Sequence, residues 1–530
     1  MSRGLLSSLL LLLICAAATA QAPASSKDAS SSTFRDVQVD AGRVTGPIRS
    51  FQGLNGPPFP IMEGLPKLVE QYKALHIDMV RTHDIMGPTD VAAHYSEDNP
   101  LLKWLVPDSK QRAAMVHSSR LTEIFPDWNA DPEKPESYHF APSDKFIQAI
   151  RESGAEVYYR IGRSFGADYT DLPDFDKFAA VVKHIALHYN RGWANGFHDN
   201  IRYWEFWNEP DLPLFWTETP EKFYALYEKI ARALKSVDPS MKIGADAQAL
   251  GFNAGPYREG LIEYCSRNQV PLDFYSWHYY ALTSADPYDM VRIGSDIRKL
   301  LDARGFPKAE SVLSEWNLTP DFSEGERARL QGMENAAFIG AALIYLQDSA
   351  VDRAHFYRGD AAWMGLFGLR GEYFKTAHTF RATGAMLQTP ERLALNGADT
   401  FGFAALAGRS HDGKSVQVLI SNYQIPANYQ PPPMAPPEGS APKNMPMPDF
   451  SKIKFLAPRE NIVYRENRGY KLTISNLPWG KDAVFTLKRY RLAADHNLDV
   501  VEEKQETGDS IEISNPLPPP GLELIELRRR

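Results

Sequence analysis

The sequence predicts an α/β fold, a closed (β/α)8 barrel followed by a C-terminal β-sandwich. Three observations predict it. Between about residues 50 and 390, eight short β-rich runs alternate with amphipathic helical ones, the order that builds a parallel sheet with helices outside it. After about residue 390 helical periodicity gives way to short alternating strands. No glycine-rich phosphate loop follows the first strand, which disfavours the alternative, a doubly wound open sheet.

The elements follow in order. Arg3, the apolar run Leu5 to Ile14 and the small residues Ala18-Thr19-Ala20 read as a cleaved signal peptide over residues 1–20. Residues 21–34 are Ser/Ala-rich and read as a leader, and residues 35–49 as a strand joining the β-sandwich. The barrel strands are expected near Ser50–Leu54 and at Ile77–Thr82, Ala155–Ile161, Arg202–Phe206, Lys242–Ala245, Phe274–Trp277, Ser311–Ser314 and Arg353–Tyr357. Helices are expected at 65–75, 143–153, 175–190, 220–235, 256–268, 287–303, 327–346 and 374–387. The fourth of these is the plainest. Thr219 is a good N-cap, Pro220 occupies the first helical position, and Phe223, Leu226, Tyr227, Ile230 and Leu234 make one apolar stripe. Residues 391–530 read as the sandwich, with strands at Ser415–Ser421, Gly469–Ile474, Ala483–Leu487, Ser510–Ile513 and Leu522–Leu527. The Pro-rich stretch 425–448 is a loop.

Composition excludes several functions. Lys and Arg number 58 against 66 Asp and Glu, a net charge of −8, so no global basic field awaits nucleic acid. No run after the leader reaches the roughly 18–20 apolar residues a membrane span needs, so a secreted or periplasmic product is expected. Cys15 leaves with the signal, and Cys265, in an apolar helical stretch, reads as an inert packed thiol. No zinc spacing, calcium loop or phosphate loop is present, so no metal and no cofactor is expected. Aromatic residues make up 12% of the chain, which suits a carbohydrate binder.

Chemistry in such a barrel sits at the C-terminal ends of the strands. The fourth strand ends in Trp207-Asn208-Glu209-Pro210 and the seventh in Glu315-Trp316-Asn317. Asn-Glu-Pro alone is a weak signal. With a second glutamate facing the same mouth it meets the requirement for retaining glycoside hydrolysis, one carboxylic acid and one carboxylate about 5–5.5 Å apart. The faces of Trp128, Trp207, Trp316 and Trp363 are candidates for contact with sugar C–H groups, while Trp204 and Trp277 suit the core.

These residues resemble the clan of retaining (β/α)8 glycosidases. Gly53-Leu54-Asn55-Gly56, Val80-Arg81-Thr82-His83-Asp84 and Ser276-Trp277-His278-Tyr279-Tyr280 narrow the resemblance to glycoside hydrolase family 39, which holds β-xylosidases and α-L-iduronidases. The resemblance covers about residues 50–390. It implies that Glu209 is the acid/base, Glu315 the nucleophile and Asn208 the partner of the sugar 2-hydroxyl, with His83, His278 and Tyr280 lining the same subsite. It further implies an oligosaccharide or polysaccharide substrate.

The departure lies on the third strand, Tyr158-Tyr159-Arg160-Ile161-Gly162-Arg163-Ser164. Arg160 and Arg163 either clamp a substrate carboxylate, which would mean a uronic acid, or pair with structural acids such as Asp246 or Asp84. The segment Phe125–Asp131, with Trp128, is a candidate wall of the pocket. Two functions of different class stand at this point: an exported glycosidase acting on xylose- or arabinose-containing fragments, and a non-catalytic carbohydrate-binding barrel. The sequence fixes neither the sugar nor whether the chain forms a homo-oligomer.

Overall fold

A computed structural model describes residues 34–60, 64–83, 89–91, 97–98, 103, 107–163, 174–213, 215–281, 284–319, 324–361, 364–429 and 453–530. The proposed signal peptide, the leader up to residue 33, most of the Pro-rich loop, Asp84 and Trp363 lie outside the described residues.

The first strand, β1 (Phe34–Pro47), belongs to the second domain and is discussed with it. Eight parallel strands then close a barrel in chain order: β2 (Gly53–Asn55), β3 (Met79–Arg81), β4 (Glu156–Ile161), β5 (Tyr203–Phe206), β6 (Lys242–Gln248), β7 (Phe274–Tyr280), β8 (Glu310–Asn317) and β9 (Arg353–Phe356). Closure runs through β2 and β9, with Gly53 opposite His355 and Leu54 opposite Phe356. All eight strands are those the alternation predicts. Gly244 shows how tightly they fit: a Cβ there would lie 2.2 Å from the Phe274 carbonyl oxygen.

The surrounding helices are α1 (Val69–Ala74), α2 (Ser109–Thr122), α3 (Phe140–Glu152), α4 (Phe175–Arg191), α5 (Pro220–Val237), α6 (Leu261–Asn268), α7 (Asp289–Ala303), α8 (Glu324–Gln331), α9 (Met333–Tyr345) and α10 (Lys375–Ala385). In α5 the Thr219 side chain accepts from the Lys222 N–H, and the predicted stripe from Phe223 to Leu234 is buried. Helix α2 is not among those the periodicity predicts. Asp108 caps it through the Gln111 N–H, but only Met115 and Val116 bury apolar side chains. With so narrow an apolar face, it leaves little periodic signal. Gly332 divides the single predicted helix 327–346 into α8 and α9.

The second domain is one mixed, curled nine-stranded sheet. It adds β10 (Glu391–Asn396), β11 (Phe403–Arg409), β12 (Ser415–Asn422), β13 (Gly469–Ser475), β14 (Val484–Ala493), β15 (His496–Thr507), β16 (Ile511–Pro516) and β17 (Gly521–Arg529). Their order is β15-β14-β17-β12-β11-β10-β1-β13-β16. Strand β1 runs parallel to β13 and antiparallel to β10, so the chain crosses the sheet before entering the barrel. Alternation decides the faces. Val416, Val418 and Ile420 join the sheet's own core, while Leu419 and, from β17, Leu522 and Leu524 join the barrel's. Helix α9, apolar on every side, fills the layer between them, with the Ser421 hydroxyl donating to the Ala337 carbonyl at 2.8 Å. A second tie is Arg459, stacked over Tyr288 and Phe401 and paired with Asp286 at 2.6 Å.

Candidate active site

The C-terminal ends of β2, β3, β5, β7 and β8 bring a buried polar network to one mouth. Its hub is Arg81, fully buried at the end of β3. Its guanidinium donates to Glu205 Oε2 at 2.6 Å, Asn55 Oδ1 at 3.0 Å, Glu315 Oε2 at 3.2 Å and Asn208 Oδ1 at 2.8 Å. Burial works against this charge, but Glu205 and Glu315 outweigh it and hold Arg81 above its ordinary range. Tyr158 completes the Glu205 side, its hydroxyl donating to Oε1 at 3.0 Å.

Glu315 is gripped from both sides. The Tyr280 hydroxyl donates to Oε1 at 2.6 Å while Arg81 takes Oε2. Burial, and then the Glu315 charge, push the Tyr280 phenol far above its usual range, so it keeps the proton it donates. His83 Nε2 stands 3.7 Å from Glu315 Oε2. All four side chains are fully buried or nearly so.

Glu209 sits on a turn held by strain. Trp207 and Glu209 have φ values of 72° and 49°, left-handed conformations that cost on the order of 1–3 kcal/mol each in non-glycine residues. Three contacts keep them there. The Glu209 N–H donates to the Ala247 carbonyl at 3.0 Å, the Trp207 N–H to Ile161 at 2.9 Å and the Trp207 indole to Phe215 at 3.0 Å. Gly162 makes room, since a Cβ there would come within 3.0 Å of the Trp207 ring. The Glu209 carboxyl meets His278 Nδ1 at 2.8 Å. Burial first, and then the Arg81 and His83 charges, hold His278 well below its ordinary range and therefore neutral.

Ligand atoms of Glu209, His278 and Glu315 lie within 4.8 Å of one another. The cluster is one of hydrogen bonds: the Arg81 cation already sits on Glu315, and a second cation between the carboxylates would face it. Donors are left over. Because Asn208 Oδ1 accepts from Arg81, its Nδ2 points elsewhere, and among the described residues it has no hydrogen-bond partner. The same holds for His278 Nε2.

The other residues singled out from the sequence fall differently. Trp316 follows the inward-facing Glu315, and strand alternation places it with Phe356, edge-on at 5.3 Å. Trp128 packs against Phe125 and Phe178 in the barrel's outer layer. Arg160 is buried and pairs with Asp90 at 3.2 Å, so it is a structural partner of a third acid, one that the sequence did not suggest. Arg163 is buried at the end of β4. Asp246, the other suggested partner, is enclosed among Tyr224, Tyr227 and Tyr275. Sequence reasoning missed Arg81, Glu205, Asn55 and Tyr158. The available signal was a charged residue on each of two otherwise apolar strands, opposite in sign, Arg81 closing β3 and Glu205 inside β5.

Comparison with known proteins bears on the family and the fold. Residues 128–299 match glycosyl hydrolases family 39. A crystal structure of a glucosidase from Croceicoccus marinus is 32% identical, covers 94% of this chain and 100% of its own, and superposes with a TM-score of 0.77. A monomeric β-xylosidase from Caulobacter crescentus CB15, 17% identical, shares the fold with a TM-score of 0.63 over 93% of this chain and 99% of its own. A β-xylosidase from Geobacillus stearothermophilus is 27% identical over 188 residues, 32% of this chain and 35% of that protein. The match therefore spans about a third of that curated relative. The barrel with its curled sheet, the paired glutamates at its mouth and these similarities together establish that the chain belongs to glycosyl hydrolase family 39.

Proposed function

We propose that the protein is an exported, retaining, exo-acting glycosidase for xylose- or arabinose-containing oligosaccharides. One observation carries the mechanism: carboxylate oxygens of Glu209 and Glu315 lie within 4.8 Å. So close an approach suits the double displacement of a retaining pair, whose carboxyl groups stand about 5–5.5 Å apart, better than the about 6.5–9.5 Å of an inverting pair. Glu315 attacks the anomeric carbon while Glu209 gives its proton to the departing oxygen. The glycosidic bond breaks and a glycosyl–Glu315 ester forms. Water then attacks the same carbon, Glu209 takes its proton, and the ester bond breaks to release the sugar. Tyr280 and Arg81 orient the nucleophile, and Asn208 Nδ2 is the donor for the 2-hydroxyl.

The pentose assignment draws on the β-xylosidase relatives. A glucosidase as the 32% identical neighbour favours a second reading, hexose specificity. Comparing kcat/KM on aryl β-D-xylosides, α-L-arabinosides and β-D-glucosides separates the two. Proton NMR of early hydrolysis tests the mechanism, and a first product of inverted configuration would remove Glu315 from its role. Arg163→Ala tests the uronic acid alternative. A KM rise confined to uronide substrates would support it, and unchanged KM on both classes would end it.

A further inference from the structure

Two residues beyond Glu209, Asp211 does work that the double displacement leaves unassigned. Its carboxylate reaches across to the connection after β6, where Oδ1 accepts the Ala249 N–H at 2.9 Å and Oδ2 the Leu250 N–H at 3.1 Å. The same two segments are tied once more by the Glu209 N–H on the Ala247 carbonyl. Ala247, like Glu209, has a left-handed backbone, φ 56°. Two strained turns thus face each other, and three hydrogen bonds span them. Two of the three end on one carboxylate.

We propose that Asp211 is a positioning residue for Glu209: its carboxylate clamps the turn bearing Glu209 to the segment 247–250, and protonating it loosens that clamp. The proposal rests on the reading of Glu209 as acid/base. Hydrogen bonds to an ionised acceptor are roughly twice as strong as those to a neutral one, so a proton on Asp211 weakens both bonds together. Asp211 is half-buried as a residue. Burial around its carboxyl group pushes it up to about 6, against the pull of the Ala249 and Leu250 N–H groups. Its surroundings supply no cation at contact distance among the described residues. Facing it are Asp246 of β6, Tyr275 of β7 and Tyr257 of the segment 256–260, with Glu221 of α5 beyond Tyr257 and the Arg258–Glu259 pair beyond Tyr275. Asp246 is itself held well above the usual carboxylate range by burial and then by Asp211.

Leaving-group dependence separates positioning from mere stability. Proton donation matters for a phenyl glycoside and hardly at all for a dinitrophenyl glycoside. For whichever sugar the wild-type enzyme accepts, Asp211→Asn should lower kcat/KM on the phenyl glycoside at least tenfold at pH 7.5 and change the dinitrophenyl value less than twofold. Its Tm at pH 7.5 should not fall, because the fold disfavours the ionised carboxylate that the amide replaces. In wild type, the phenyl-to-dinitrophenyl ratio of kcat/KM should fall as pH drops through about 6, and the variant should lack that step. If Asp211→Asn does not fold, Asp211→Glu decides, with a phenyl-selective loss expected. An equal loss on both substrates, no loss on either, or an unchanged pH dependence of the ratio overturns the proposal. Glu209→Ala on the same substrate pair checks the underlying reading: without a phenyl-selective loss there, Glu209 is not the acid, and the failure lies with that assignment.

Discussion

The two ends of the barrel carry similar charges and treat them differently. At the N-terminal floor, Tyr203, Lys242, Glu310 and Arg353 form a network at the edge of solvent. The side chains of Lys242 and Arg353 remain about a third exposed, at 35% and 33%. Burial raises Glu310, but Lys242, Arg353 and the Tyr203 hydroxyl together bring it below its ordinary value. At the mouth, Arg81, Glu205 and Glu315 are wholly buried, and donors such as Asn208 Nδ2 stay unspent. Between the ends, Met79, Tyr158, Tyr203, Phe274 and Val312 form an apolar layer. The floor pairs its charges with one another and stabilises the barrel, whereas the mouth leaves donors such as Asn208 Nδ2 without a partner among the described residues, as the proposed function requires.

Four substitutions break or sharpen that contrast. Glu315→Ala should abolish turnover on every substrate, a loss on the order of 10⁴-fold or more. Arg81→Met leaves Glu205 and Glu315 buried without their cation, so unfolding by denaturant should show a loss of about 3–5 kcal/mol. Activity should fall with it, because Arg81 also holds Glu315 Oε2 and Asn208 Oδ1 at the mouth. Tyr280→Phe removes the donor to Glu315 Oε1, and kcat/KM should drop by about 10–100-fold at unchanged fold, following the roughly 1.5–3 kcal/mol of a hydrogen bond to a charged group. At the floor, Tyr203→Phe should cost about 0.5–1.5 kcal/mol of stability and leave kcat/KM within twofold. If the floor variant lost activity as Tyr280→Phe does, the division between the ends would fail.

A pH experiment sharpens the same point. His355, buried inside the barrel, is held well below its ordinary range by burial, then by Arg81 and Arg353, so it folds neutral. Its contribution is present above the unfolded value near 6.5 and is lost as pH falls, because the unfolded chain takes up the proton. His355→Gln should therefore flatten the acid-side loss of stability by about 1.4 kcal/mol per pH unit below that point. Parallel wild-type and variant curves between pH 5 and 6.5 would contradict it.

Much of this was legible in the sequence, for reasons particular residues show. The stripe from Phe223 to Leu234 and the short β-rich runs report burial directly, and burial is what packing requires. The places of Glu209 and Glu315 at the mouth were legible because each lies in a short polar run closing a barrel strand, Trp207-Asn208-Glu209-Pro210 and Glu315-Trp316-Asn317. Arg81 and Glu205 were not, since each makes sense only beside a partner 124 residues away. The Arg160–Asp90 pair hides for the same reason. Strand β15 is polar, as an edge strand should be, and its run of Glu and Lys conceals the alternation. Helix α2 stays hidden because so little of it packs.

The central claim is that Glu209 and Glu315 divide acid/base and nucleophile between them. The most direct test adds azide to Glu209→Ala and Glu315→Ala acting on a dinitrophenyl glycoside and reads the anomeric configuration of the product by NMR. Azide needs no general base, so in Glu209→Ala it should attack the glycosyl–Glu315 ester and give a glycosyl azide of retained configuration. In Glu315→Ala no ester forms, and azide should attack the substrate directly to give the inverted azide. Swapped configurations, or the same product from both variants, would contradict the assignment.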